Sequence, residues 1–144
     1  MNATMRKFGW PDTVIRSYAH WQVLVRPAQV TLGALVVACN EPVTRFGDVS
    51  SAGFAELAQV VADCERTLSQ AFNYERINWL MLMMVDPDVH FHVLPRYADV
   101  RTFAGIAFQD RGWPGPPALD SADPSYVPAV PALRAHLQGL WPKV

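Results

Sequence analysis

The residues of this chain best suited to chemistry lie in Asp88-Val89-His90-Phe91-His92-Val93-Leu94-Pro95-Arg96-Tyr97. The run alternates by twos, as an extended strand does. Val89, Phe91 and Val93 fall on one side, and Asp88, His90 and His92 on the other. Neighbours on one side of a strand sit roughly 6.6 Å apart, from a rise of about 3.3 Å per residue. A neutral imidazole is a nucleophile near neutral pH. It can attack phosphorus when its other nitrogen is held by an acceptor. The residues two places away, Asp88 and His92, are spaced to hold phosphoryl oxygens or handle a proton. Three readings stand for the trio: a nucleophilic site with His90 at its centre, a metal site with Asp88, His90 and His92 as ligands, or a hydrogen-bonded structural pair of histidines.

Such a strand needs elements to carry it. A strand over His20–Arg26, ended by Pro27, and an apolar strand over Ala34–Cys39 precede the longest helix, about 51–72. Ser50 or Ser51 caps that helix. Phe54, Leu57, Val61, Cys64, Leu68 and Phe72 recur at steps of three and four and give it one apolar face. Residues 76–84 form the next strand, Val85-Asp86-Pro87 breaks it, and the His-bearing strand pairs back antiparallel. The Met- and Leu-rich run within 76–84 is expected to pack in the core, the alternative being a plastic binding surface. Asp12 is placed to cap a short helix through Tyr18. Thr102–Phe108 reads as one short strand, Arg111–Pro117 as irregular chain, and Pro128–Trp141 as a closing helix.

Composition narrows the function classes. The 144 residues, 51% hydrophobic and 17% charged, suit one domain with its own core. A formal net charge of −1 without a basic block gives no support to a nucleic-acid polymer as partner, while a small anionic substrate remains compatible. Cys39 and Cys64 read as buried thiols of a reducing compartment. No apolar run approaches the ~20 residues of a membrane helix and Met1–Lys7 lacks a signal-peptide core, so a cytoplasmic protein without membrane association is expected. Arg6 and Lys7 read as solvated, His136 as a surface residue, and Trp113 as packing of the irregular segment.

The string Asp88–Arg96 resembles the signature of the histidine triad (HIT) family, in which His, apolar, His, apolar, His and two apolar residues are often followed by Pro-Arg. His90 matches the central histidine and His92 the third. Leu32–Asp48, with Gly33, Leu35, Val36, Pro42-Val43 and Arg45-Phe46, looks closest to the fragile-histidine-triad branch, whose members hydrolyse dinucleoside polyphosphates. The resemblance covers about residues 20–97, within a single domain over 1–144 that adds an extension, 98–144. It implies an α+β fold: an antiparallel sheet with one long helix and a C-terminal helix, usually a homodimer. It implies a nucleotide hydrolase or nucleotidyl transferase acting on a nucleotide or dinucleotide. In that chemistry His90 attacks the α-phosphate to form a nucleotidyl-histidine intermediate, His92 assists, and Asp88 tunes or protonates. Most branches need no metal or other cofactor for that step. Asn78, Arg96 and His20 are the candidate substrate contacts. Three positions depart from the pattern: Asp88 replaces the first triad histidine, Ala34 replaces an upstream histidine, and Val85-Asp86-Pro87 makes a shorter hairpin. A nucleotide-binding module without turnover is the main alternative, and a metal-dependent hydrolase using Asp88, His90 and His92 the lesser one.

Overall fold

A computed structural model describes residues 1–143. Five strands build the main sheet: β1 (Val14–Ser17), β2 (Trp21–Val25), β3 (Leu35–Cys39), β4 (Arg76–Leu80) and β5 (His90–Arg96). Their order across the sheet is β1-β2-β3-β5-β4, with every neighbouring pair antiparallel. Three helices accompany it, α1 (Ala3–Lys7), α2 (Ser51–Phe72) and α3 (Val130–Leu140). A separate hairpin pairs β6 (Arg101–Phe103) with β7 (Ile106–Phe108). This is the expected α+β arrangement.

The two faces of the sheet follow from register, because residues directly opposite in an antiparallel pair share a face. Trp21, Val23, Val25, Leu35, Val37, Cys39 and Val93 point one way, into the main core with Val60, Cys64 and Leu68 of α2 and Leu133 and Leu137 of α3. Gln22, Leu24, Val36, Ala38, His90, His92 and Leu94 point the other way. Two smaller apolar clusters cover that second face. Met5 and Phe8 pack on Leu24, Val36 and Ala38, while Val30, Ala34 and Leu94 gather Leu80 and Leu119.

Helix α2 begins and ends as its sequence dictates. The Ser50 hydroxyl accepts from the Gly53 amide at 3.0 Å, and Asn73 closes the helix in the left-handed region at φ 47°. Its buried face runs through Gly53, Val60, Cys64, Thr67, Leu68 and Phe72. Phe54 lies outside that face and is exposed, stacking on Phe46 instead. The reason is Gly53, whose carbonyl accepts the buried Trp21 indole N–H at 2.8 Å and turns this side of the helix to the sheet.

Four expectations need correction. Residues 12–18 form no helix: Ile15 is buried in the main core, and β1 pairs with β2. Strand β4 stops at Leu80, opposite His92, two residues before the position that would face His90. Leu82, Met84 and Val85 therefore leave the core, with Met84 85% and Val85 82% exposed. The single strand expected over 102–108 is a two-stranded hairpin, turned by Ala104 and Gly105 at φ 51° and 75°. No helix of the described residues is long and apolar enough to cross a membrane. Cys39 and Cys64 are both buried and free, and burial raises both thiol pKa values.

Candidate active site

Strand β5 carries the histidines into the middle of the sheet, between β3 and β4. Ala38 stands opposite His90 and Val36 opposite His92 on β3, and Leu80 faces His92 from β4. The alternation expected from the sequence holds, with Val89 and Val93 fully buried on the helix side. The two imidazoles meet edge to face at 5.1 Å between centroids. His90 is 2% exposed and His92 8%.

The tautomer of His90 follows from its partner. Its Nδ1 lies 2.6 Å from the backbone carbonyl oxygen of Asp88. A carbonyl only accepts, so Nδ1 carries the hydrogen, and in the neutral ring the lone pair resides on Nε2. This is the orientation a nucleophilic imidazole requires. His92 is tuned differently. Burial, followed by the positive charge of Arg26 and the neighbouring His90, lowers its pKa to about 4, so it is a neutral ring at pH 7. Its Nδ1 is buried and has no hydrogen-bond partner among the described residues.

The Asp88 side chain does something the sequence did not suggest. Its Oδ2 accepts from the Thr4 hydroxyl at 2.9 Å and from the Thr4 amide at 3.4 Å. The carboxylate thus binds the first turn of α1, while the backbone carbonyl of the same residue holds His90. Asp88, His90 and His92 do not converge as ligands, and no cluster of three metal-ligating side chains occurs among the described residues. The metal reading gains no geometric support.

The remaining candidates lie elsewhere. Arg96 is buried and forked onto Asp110, with Nε 2.7 Å from Oδ2 and Nη2 3.1 Å from Oδ1. It also donates to Asn78 Oδ1 at 2.8 Å and to the Gly115 carbonyl at 2.9 Å. Together Asn78 and Arg96 line a cavity of about 540 Å³ with Arg76 and Trp113, and neither His90 nor His92 reaches it. His20 sits near the start of α2, its Nδ1 3.2 Å from Glu41 Oε2, while Glu41 also accepts from the Ser50 amide and hydroxyl. The structure thus brings His90 and His92 together, while Arg96 bonds Asn78 and Asp110 further along the same strand face and His20 bonds Glu41. His136 is exposed, as expected.

Sequence reasoning missed four residues around the pair. Phe8 lies 6.0 Å from the His90 ring and 5.6 Å from the His92 ring. Thr4 anchors Asp88. Lys7 is not simply solvated but bonds Asp86 at 2.8 Å. Arg26 follows β2 on the histidine face, its Nε buried with no hydrogen-bond partner among the described residues. One signal was available: Phe8 is a large apolar residue in an otherwise mixed segment, and such a residue needs a surface to cover.

Comparison with solved structures places this geometry. Similar folds occur in a histidine triad protein from Sinorhizobium meliloti (TM-score 0.75, 17% identity, covering 96% of this chain and 94% of that one). Another is a histidine triad protein from Marinobacter aquaeolei (TM-score 0.73, 17% identity, 94% and 93% covered). A third, from Bradyrhizobium japonicum, gives TM-score 0.67 at 18% identity, with 95% and 96% covered. No protein-family model matches the sequence, and no curated protein does. The similarity spans nearly the whole length of both partners, and the fold of this chain is that of the histidine triad proteins.

Proposed function

We propose that the protein is a nucleotide hydrolase or nucleotidyl transferase that cleaves a phosphoanhydride or phosphoramidate at the α-phosphate, with His90 as nucleophile. One observation carries this reading: the Asp88 carbonyl holds His90 Nδ1 and leaves Nε2 with the lone pair. Nε2 attacks the α-phosphorus, an N–P bond forms, and the bond to the leaving oxygen or nitrogen breaks. The leaving group takes up a proton from solvent, and the later attack of water returns one. Water or another acceptor then attacks the nucleotidyl-histidine and frees the ring. His92, neutral at pH 7, hydrogen-bonds without taking the proton itself, and the Arg26 charge lies on the same face to offset phosphate charge. The fold shared with histidine triad proteins supports the same reading, and the sequence favours the dinucleoside polyphosphate branch within it.

The role of Asp88 shifts in consequence. Its backbone orients the nucleophile, and its side chain belongs to the Thr4 contact, not to proton transfer. A homodimer is part of the proposal, supported by the unpaired outer edge of β4 and the exposed Leu82, Met84 and Val85 beside it. A cytoplasmic setting, suggested by the free buried thiols, completes it.

The test is intact-protein mass spectrometry after brief mixing with adenylated and guanylated substrates in EDTA, for wild type and His90→Ala. The expected result is a nucleotidyl adduct or released product with wild type and neither with the variant. Turnover unchanged in His90→Ala would overturn the assignment. Thermal stabilisation by nucleotides with neither adduct nor product would favour the binding-module reading.

A further inference from the structure

The nucleophile proposed above lies under the protein's own chain. His90 is 2% exposed, whereas a phosphoryl group attacked by its Nε2 must come within roughly 3–3.5 Å. The segment 2–8 packs on the same face of the sheet and brings Phe8 against the ring. Met5 is fully buried on Leu24, Val36 and Ala38, and the Phe8 ring spans both imidazoles. The five residues of α1 are far too few to hold a helix in water alone, so tertiary contacts hold it. The polar ones are few: Thr4 to Asp88, Lys7 to Asp86, and the Asn2 amide to the Cys39 carbonyl at 3.3 Å. All are partly or wholly exposed. Phe8 is followed by Gly9 at φ 90°, a conformation that favours glycine, and the Thr13 hydroxyl holds the Phe8 carbonyl at 2.7 Å. Gly9 is thus where the covering segment joins the sheet, and a swing there also parts the Trp10 N–H from the Met5 carbonyl, 3.1 Å away.

We infer that residues 2–8 form a displaceable lid over His90, latched to the turn before β5 by Thr4 on Asp88 and Lys7 on Asp86 and pivoting at Gly9. Open, the lid admits the phosphate to Nε2. Closed, it keeps the ring dry and ready. The use of the opening rests on His90 being a nucleophile; the lid itself does not. It also gives aspartate a use at position 88, where a carboxylate accepts both donors of Thr4 at once.

Chemical labelling tests this without turnover. Diethyl pyrocarbonate modification of His90, read by peptide mass spectrometry, is compared with that of exposed His136. Iodoacetamide labelling of the fully buried Cys64 reports global opening in the same protein. After correction for intrinsic reactivity, His90 is expected to react more slowly than His136 and faster than Cys64 allows. Thr4→Val, which removes the latch hydroxyl, should speed His90 about tenfold or more, the range of one hydrogen bond to a charged group. Leu133→Val, in the core on the opposite face, should speed Cys64 and leave His90 unchanged. Two outcomes overturn the lid: His90 as reactive as His136 in wild type, or His90 as protected as Cys64 and moved equally by Leu133→Val. Expected labelling without a nucleotidyl adduct would keep the lid and sink the nucleophile. An adduct with globally limited labelling would do the reverse.

Discussion

At the scale of single residues, His90 and His92 are one chemical type set to opposite tasks by what touches them. His90 gives its Nδ1–H to a carbonyl, whereas His92 keeps a buried, unpartnered Nδ1 and a pKa of about 4. The lowered value has a consequence for stability. In the unfolded chain His92 titrates near 6.5, so between pH 6.5 and 4 the unfolded state binds more protons than the folded one. Stability is then untouched above pH 7, falls as pH drops through that window, and loses no more to this group below 4. The loss is on the order of 3–4 kcal/mol, at about 1.4 kcal/mol per pH unit of difference. Chemical denaturation of wild type and His92→Gln between pH 8 and 4 checks this. The variant should lose much of the wild-type slope between pH 6.5 and 4, and identical slopes would rule out His92 as its source.

At the scale of elements, two contacts predict measurable costs. The Asp110 carboxylate receives both prongs of Arg96, the Tyr97 amide at 3.1 Å and the Gly112 amide at 3.2 Å. Asp110→Ala leaves a buried guanidinium without its counter-charge, and urea denaturation is expected to show a loss of about 3–5 kcal/mol. Gly33 leads into β3 at φ 84°, and a Cβ there would meet the Phe72 ring at 2.9 Å. Gly33→Ala should cost about 1–3 kcal/mol, through strain and the clash on α2 together. A neutral result would mean that Phe72 has room to swing.

These same elements show what sequence could and could not tell. The alternation at 88–97 and the spacing of Phe54, Leu57, Val61, Cys64, Leu68 and Phe72 located β5 and α2 nearly to the residue, because both are local periodicities read against one face, although Phe54 and Val61 lie off the buried face of α2. Strand β1 was invisible, since Val14–Ser17 is strand only by virtue of its pairing with β2 and the burial of Ile15. Leu82 and Met84 look like core within an apolar run, and the pairing that ends β4 at Leu80 lies outside the run itself. The His pair was legible for the same reason as β5. Its cover was not, because Thr4 to Asp88 spans 84 residues and leaves no periodic trace.

At the scale of the whole molecule, the sheet has two edges with different fates. β1 is covered by α3: Arg134 and Gln138 both donate to the Val14 carbonyl, at 2.8 and 3.2 Å. Among the described residues β4 has no strand beyond it, and the exposed Leu82, Met84 and Val85 follow its end. Sedimentation equilibrium is expected to give twice the chain mass for wild type and the chain mass for Leu82→Lys/Met84→Lys, with far-ultraviolet circular dichroism unchanged. A wild type that stays at the chain mass at high concentration would leave the edge without a partner.

The stitching of α3 onto β1 also sets an order of events. Val14 takes its bonds from residues 120 and 124 positions later, and the Trp141 indole reaches Tyr18 across 123. During synthesis, chain emerging from a ribosome can pair β2 with β3 early, yet β1 lacks its cover until residues 134–141 have emerged. Contacts this distant in sequence slow folding and leave an edge open meanwhile. The contact of β1 with α3 is therefore a late-closing seam, where a nascent chain is most exposed to chaperones and to its own neighbours.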